Sequence, residues 1–193
     1  MRSLKSGITV VAAASALAAT SFALAHQDDE GNFPEGFRTF DHVKSMIVEE
    51  GLPVLGDPAN PLNVIGLHHI YANKKAMQGY RELNAARPGK VSFKDGSVIV
   101  FDLLQHVPIP STEGRLAVVE GDRKAVIVME KDARKYRDTG GWLFQVYDPK
   151  TKNPLLDKAT QKVCFSCHES GNPDLPIIGN ASGSDFVFSR LRD

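Results

Sequence analysis

Excess charge of either sign is missing from this chain. Lysine plus arginine number 23 and aspartate plus glutamate number 23, so the composition gives no support to a nucleic-acid partner. Cysteine is almost missing: 193 residues contain two, Cys164 and Cys167. No cysteine or histidine follows His168, so a zinc site built on the Cys-x-x-Cys pair lacks further ligands at regular spacing downstream. Internal repeats and low-complexity tracts beyond the N-terminus are also lacking. One apolar run approaches membrane-spanning length, and it lies at the very start.

That run belongs to an expected secretory signal peptide over residues 1–25. Arg2 and Lys5 form a positive start, Gly7 to Leu24 carry no charge, and Ala23-Leu24-Ala25 is an A-x-A cleavage site. An uncleaved anchor is the alternative, but the run is alanine-rich and only just long enough to span. Its bacterial proportions point to the periplasm. The mature chain is expected to be soluble, with a flexible segment at 26–36 and a single domain at 37–193.

What the chain does have is Cys164-Phe165-Ser166-Cys167-His168. Two thiols two residues apart, with histidine directly after the second, form the attachment pattern of a c-type haem. Each thiol would add to a vinyl group, and His168 would supply the proximal nitrogen to iron. A disulfide or a redox dithiol is the competing use. A thioredoxin-type dithiol, however, follows an early strand, whereas this pair lies near the C-terminus. Haem attachment also takes place outside the cytoplasm, as the export signal requires.

Hydrophobic periodicity sketches an α+β fold. Phe37, Phe40, Val43 and Ile47 recur at helical steps, predicting a helix over 37–50. Glycine and proline make 51–61 a loop. Residues 64–71 read as a strand. Asn73 caps a helix over 74–86 with Ala76, Met77, Tyr80 and Leu83 on one face, and Pro88-Gly89 ends it. After the Asp95-Gly96 turn, 97–104 reads as a central strand, apolar on both faces apart from Asp102. Two strands are predicted at 115–119 and 125–130, joined at Glu120-Gly121-Asp122. An exposed charged stretch over 131–137, a turn at 139–141 and a strand at 142–147 follow. A helix over 155–167 presents Leu155, Leu156, Ala159 and Val163 inward and ends in the Cys-x-x-Cys-His. A loop over 171–183 and a last strand over 184–191 close the chain.

Most c-type haem proteins are helical, and this chain is not. No methionine follows His168, as a small electron-transfer cytochrome would need, and the Val/Ile-rich segments exclude a four-helix bundle. The chain resembles the cytochrome P-460 family, which includes the cytochromes c-prime-beta. The resemblance rests on Pro34-Glu35-Gly36-Phe37-Arg38, Ile70-Tyr71 with the helix after it, and Phe93-Lys94-Asp95-Gly96-Ser97-Val98-Ile99-Val100. It continues through Lys131-Asp132-Ala133-Arg134-Lys135-Tyr136, Gly141-Trp142, the Cys-x-x-Cys-His, and Asp185-Phe186-Val187-Phe188-Ser189-Arg190. It implies a mainly antiparallel sheet of about five strands with packed helices, one covalent haem c, and a homodimer. In the hydroxylamine-oxidising members a lysine on the central strand bonds to the haem ring. The matching position here is Phe101, and Lys94 lies before the strand. That departure is similar to the cytochromes c-prime-beta, which bind diatomic gases in a pocket capped by phenylalanine.

Three functions follow. The first is a gas-binding protein, its haem held by Cys164, Cys167 and His168, with Phe101 over the distal side and nitric oxide or carbon monoxide as ligand. The second is an enzyme acting on hydroxylamine, nitric oxide or peroxide, which needs a distal acid or base; Asp102 is expected to point away from Phe101. The third is a six-coordinate electron carrier with a redox partner protein. His68, His69 and Met129 are its candidate second ligands, each weighed against ordinary packing. Trp142 and Tyr147 are read as packing residues, Arg134, Lys135 and Arg137 as an exposed face, and Arg190 as a candidate partner for a haem propionate.

Overall fold

The computed structural model describes residues 30–50, 63–85, 91–110, 116–170 and 184–191. The expected signal peptide, the loops over 51–61 and 171–183 and the Pro88-Gly89 stop lie wholly or almost wholly outside these residues.

Five strands form one antiparallel sheet in chain order: β1 (Asp41–Val48), β2 (Gly66–Ala72), β3 (Val98–Pro110), β4 (Leu116–Lys131) and β5 (Trp142–Tyr147). With helices α1 (Lys74–Ala85) and α2 (Lys158–Ser170), this is the α+β fold expected. β3 is central, as a run apolar on both faces apart from Asp102 requires. Asn73 begins α1 by accepting the Ala76 N–H at 2.9 Å, and the same oxygen accepts the Val98 N–H at 3.2 Å, tying the helix to the sheet. Ala76, Met77, Tyr80 and Leu83 are all buried.

Register assigns the two faces. Ile99 and Phe101 align with Ala72 and Ile70 on β2, and with Met129 and Ile127 on β4. This face is covered by the helices, through Tyr80, Met77, Cys164 and Phe165 among others. Val98 and Val100 face the other way with Tyr71, Val128 and Tyr147, under Phe33, Phe37 and Phe40. Asp102 shares that second face, fully buried, and accepts hydrogen bonds from Arg38 Nε at 2.8 Å and Arg123 Nε at 2.5 Å. It therefore points away from Phe101, as alternation predicts.

Four expectations are corrected. The helix over 37–50 is instead a single 3-10 turn, Phe37–Thr39, followed by β1. Phe37 and Phe40 pack on one face of the sheet, Val43 belongs to the other, and Ile47 is exposed. Phe37 and Phe40 precede the strand and a register break at Val43, between His42 and Lys44, offsets its period of two, so the helix-like spacing joins residues of two elements. The two strands at 115–119 and 125–130 are one strand, because Glu120 pairs with His106 and the register shift between Leu104 and His106 takes up Gly121 and Asp122 as a bulge rather than a turn, with a second shift at Lys124. The stretch 131–137 is not uniformly exposed, since Lys131 and Tyr136 are buried. Residues 184–191 form no strand. Asp185 and Phe186 have φ of 53° and 65°, which breaks an extended run. The alternation there is real but has other partners: the Ser189 hydroxyl meets Tyr80 at 2.5 Å on α1, while Phe188 faces α2.

Candidate functional site

α2 is positioned before it begins. Gln145, buried in β5, accepts the Leu156 N–H at 2.9 Å and donates to the Leu156 carbonyl at 3.1 Å. Asp157 then caps the helix, accepting the N–H and hydroxyl of Thr160 at 2.8 and 2.7 Å. The helix proper starts at Lys158, so Leu155 and Leu156 do not share its period. Leu156 turns inward, but Leu155 is 57% and Val163 68% exposed. The face turned to the sheet is Gln161, Cys164, Phe165 and His168, at steps of three and four, in place of the predicted 155, 159 and 163.

Both thiols are free. Cys164 is half-buried and packs with Ile127 against the Leu103–Val146 cluster, and burial raises its thiol above the ordinary range. Cys167 is exposed, about one turn further on and one turn beyond Val163. His168 lies in the last turn. Its Nδ1 meets the Phe186 carbonyl at 2.8 Å. A carbonyl can only accept, so the ring proton sits on Nδ1 and Nε2 keeps its lone pair. Phe188 stacks on the ring at 4.2 Å between centroids and Phe144 lies at 4.8 Å. Burial, partly offset by the Phe186 contact, pushes the imidazole down to about 4, which leaves it neutral at neutral pH.

The carbonyl that receives His168 is held in an unfavourable conformation. Left-handed backbone at a residue with a Cβ costs roughly 1–2 kcal/mol, and Asp185 and Phe186 adopt it consecutively. Asp185 accepts the Phe93 N–H at 2.8 Å with one oxygen and Lys131 Nζ at 2.7 Å with the other. Lys131, 5% exposed, also donates to the Gly140 carbonyl at 3.0 Å and lies 5.0 Å over the Trp142 ring. Gly140, itself at φ 64°, leaves room for the rings of Phe186 and Phe165, which a Cβ would overlap.

Phe101 lies on the helix-covered face and packs on the same core as Cys164 and Phe165. It and Ile127 remain half-exposed although β3 and β4 are inner strands. With Val163 and Cys167 on the flank of α2, this apolar surface fits a flat apolar group tethered at the two thiols. His68 shares the face, diagonal to Phe101 across the β2–β3 register. Its Nε2 donates to the Val64 carbonyl at 2.6 Å, while its buried Nδ1 has no partner among the described residues. His69 turns to the opposite face, where it meets Ser45 at 2.7 Å and Glu120 at 3.5 Å. Met129, Trp142 and Tyr147 are buried packing residues, and Arg134, Lys135 and Arg137 are exposed. Arg190 lies beside Leu83, Asn84 and Leu191, at the end of α1. Among the described residues no three His, Cys, Asp or Glu side chains converge as a metal site.

The sequence reading missed Phe144, Phe186 and Phe188 around His168, and the Lys131–Asp185 pair. The Phe186 contact is made by a backbone carbonyl, which carries no residue-type signal. A lysine directly after an apolar strand was the one hint of the pair. No described helix is long and apolar enough to cross a membrane. Comparison with known proteins finds a family model described as cytochrome P460 matching residues 34–189. No curated protein matches the chain.

Proposed function

The chain belongs to the cytochrome P460 family, a haem-binding type of protein, and on that footing we propose that it is a periplasmic mono-haem c-type cytochrome that binds a diatomic gas. Cys164 and Cys167 tether the haem through thioethers and His168 Nε2 is its proximal ligand. When bound, haem c supplies an iron that takes up nitric oxide or carbon monoxide and exchanges an electron. The observation that carries this reading is the His168 Nδ1–H donated to the Phe186 carbonyl at 2.8 Å. That bond selects the tautomer with a free Nε2 and orients it on the helix that holds both thiols. Phe101, Ile127 and Leu103 are apolar and would offer a gas bound at that iron no proton donor. Phe101 stands where the hydroxylamine-oxidising members carry their cross-linking lysine, which favours gas binding as in the cytochromes c-prime-beta. The positive start, apolar run and A-x-A site support export.

His68 favours a second reading. Its Nδ1, without a partner among the described residues and diagonal to Phe101, is an acceptor suited to a ligand that carries protons, such as hydroxylamine. An exposed two-stranded ribbon at the end of β3 and β4 supports a homodimer, because Val107, Ile109, Val118 and Val119 there are each at least 40% exposed.

Absorption spectra of the oxidised, reduced and carbon-monoxide-treated protein test the proposal. The expected reduced form is five-coordinate and takes up carbon monoxide. Cys164→Ala with Cys167→Ala should make the haem extractable by acidified acetone, and His168→Ala should abolish the proximal signature. A reduced form that is six-coordinate, low-spin and inert to carbon monoxide refutes gas binding and favours electron transfer. Turnover of hydroxylamine in the presence of an oxidant, lost in His68→Leu, would favour the second reading.

A further inference from the structure

We propose that Lys131 and Asp185 are positioning residues for His168: their buried ion pair holds the Asp185–Phe186 backbone in the left-handed conformation that delivers the Phe186 carbonyl to the imidazole. The inference rests on the reading of His168 as the iron ligand. Both carboxylate oxygens of Asp185 are committed, one to the Phe93 N–H at 2.8 Å ahead of β3, the other to Lys131 Nζ at 2.7 Å at the end of β4. The residue directly before Phe186 is therefore fixed to the sheet along two directions. Lys131 cannot swing away, because the Gly140 carbonyl and the Trp142 ring also hold its ammonium. Phe186 follows at φ 65°, with its ring against Phe165 and its carbonyl on His168 Nδ1. Neither Asp185 nor Phe186 has the freedom of glycine, so this geometry persists only because the surroundings impose it.

An ion pair that merely anchored the C-terminal segment could lie anywhere along it. This one immediately precedes the carbonyl that orients a ligand. A carbonyl held firmly on Nδ1 fixes the ring plane and strengthens Nε2 as a donor. Loosening the clamp should weaken the bond from His168 to iron without touching the thioether links at Cys164 and Cys167. A purely structural tie would lower stability and leave that bond alone.

The test is the double variant Lys131→Met with Asp185→Asn in the haem-loaded protein. It removes both charges together, so no lone charge stays buried, and the new amide oxygen can still accept from Phe93. Haem content per chain should match that of the unaltered protein. The iron–histidine stretching band of the reduced form should move to lower frequency and broaden, and the reduction potential should rise. An unshifted band and potential in a folded double variant overturn the proposal, whatever happens to the melting temperature. The unaltered protein gives an arm that does not depend on the variant folding. Proton resonance of its reduced form in water should show the His168 Nδ1–H as a slowly exchanging signal, and rapid exchange with solvent would overturn the proposal equally. If the unaltered protein carries no haem, the proposed function fails and takes this inference with it; if it carries haem and the band is insensitive, this inference alone fails.

Discussion

At His68 one ring nitrogen donates to the Val64 carbonyl and the other is buried without a partner among the described residues. Burial holds its pKa below the ordinary value near 6.5, against the raising effect of the Val64 contact. A histidine depressed in this way is neutral in the folded chain while the unfolded chain already binds a proton. The unfolded state thus holds more protons below about pH 6.5, and stability falls as pH drops through that value, levelling off below the folded pKa. The slope is at most about 1.4 kcal/mol per pH unit for one group. In the haem-loaded protein, where His168 would be ligated, denaturant midpoints between pH 7 and 5 should show this loss. The loss should shrink in His68→Asn. An identical pH profile in the variant would place the dependence elsewhere. Strand alternation is legible in a sequence, so the split between His68 and His69 was readable. Which of the two faces Phe101 was not, because the choice depends on register with β3.

The elements read from local pattern were those whose signals are local. β2, β5 and α1 follow from period and flanking residues, and Asn73 caps α1 as expected. β1 did not, because Phe37 and Phe40 before it extend a helix-like spacing into a strand whose period breaks at Val43, and only pairing with β2 defines it as a strand. α2 was located but rotated, since Leu155 and Leu156 precede its cap at Asp157. Within α1, Gly79 is present for packing rather than flexibility. A Cβ there would fall inside contact distance of the Phe93 ring, which itself meets Tyr80 and Trp142 edge-on. Alanine favours helix by about 1 kcal/mol, whereas forcing a methyl into a packed core costs about 1–3 kcal/mol. Gly79→Ala is therefore expected to destabilise by about 1 kcal/mol net, read from chemical denaturation. A stabilised variant would mean that Phe93 yields without strain.

At the scale of the molecule, the far end of the β3–β4 hairpin lacks cover among the described residues. The hairpin of β3 and β4 runs on past the edge of β2, with Val107 opposite Val119 and Pro108 opposite Val118. A two-stranded ribbon bearing exposed valines is stabilised when a second surface closes on it. The proposed homodimer uses this ribbon. Val107→Glu with Val119→Lys should shift the protein to monomer in sedimentation analysis while leaving the visible spectrum unchanged. A dimer that persists would place the contact elsewhere.

By itself the sequence determined the mixed architecture, the central place of β3, and a helix that carries Cys164-Phe165-Ser166-Cys167-His168. These features are written in residue type and short-range period, which neighbours in the chain can express. The tertiary structure alone decided what surrounds His168. Its carbonyl partner is 18 residues away, and the ion pair behind that carbonyl spans 54. Contacts of that range, one of them made by backbone, leave no period in the sequence. They exist because two left-handed residues are held where packing and a buried charge pair outweigh their strain.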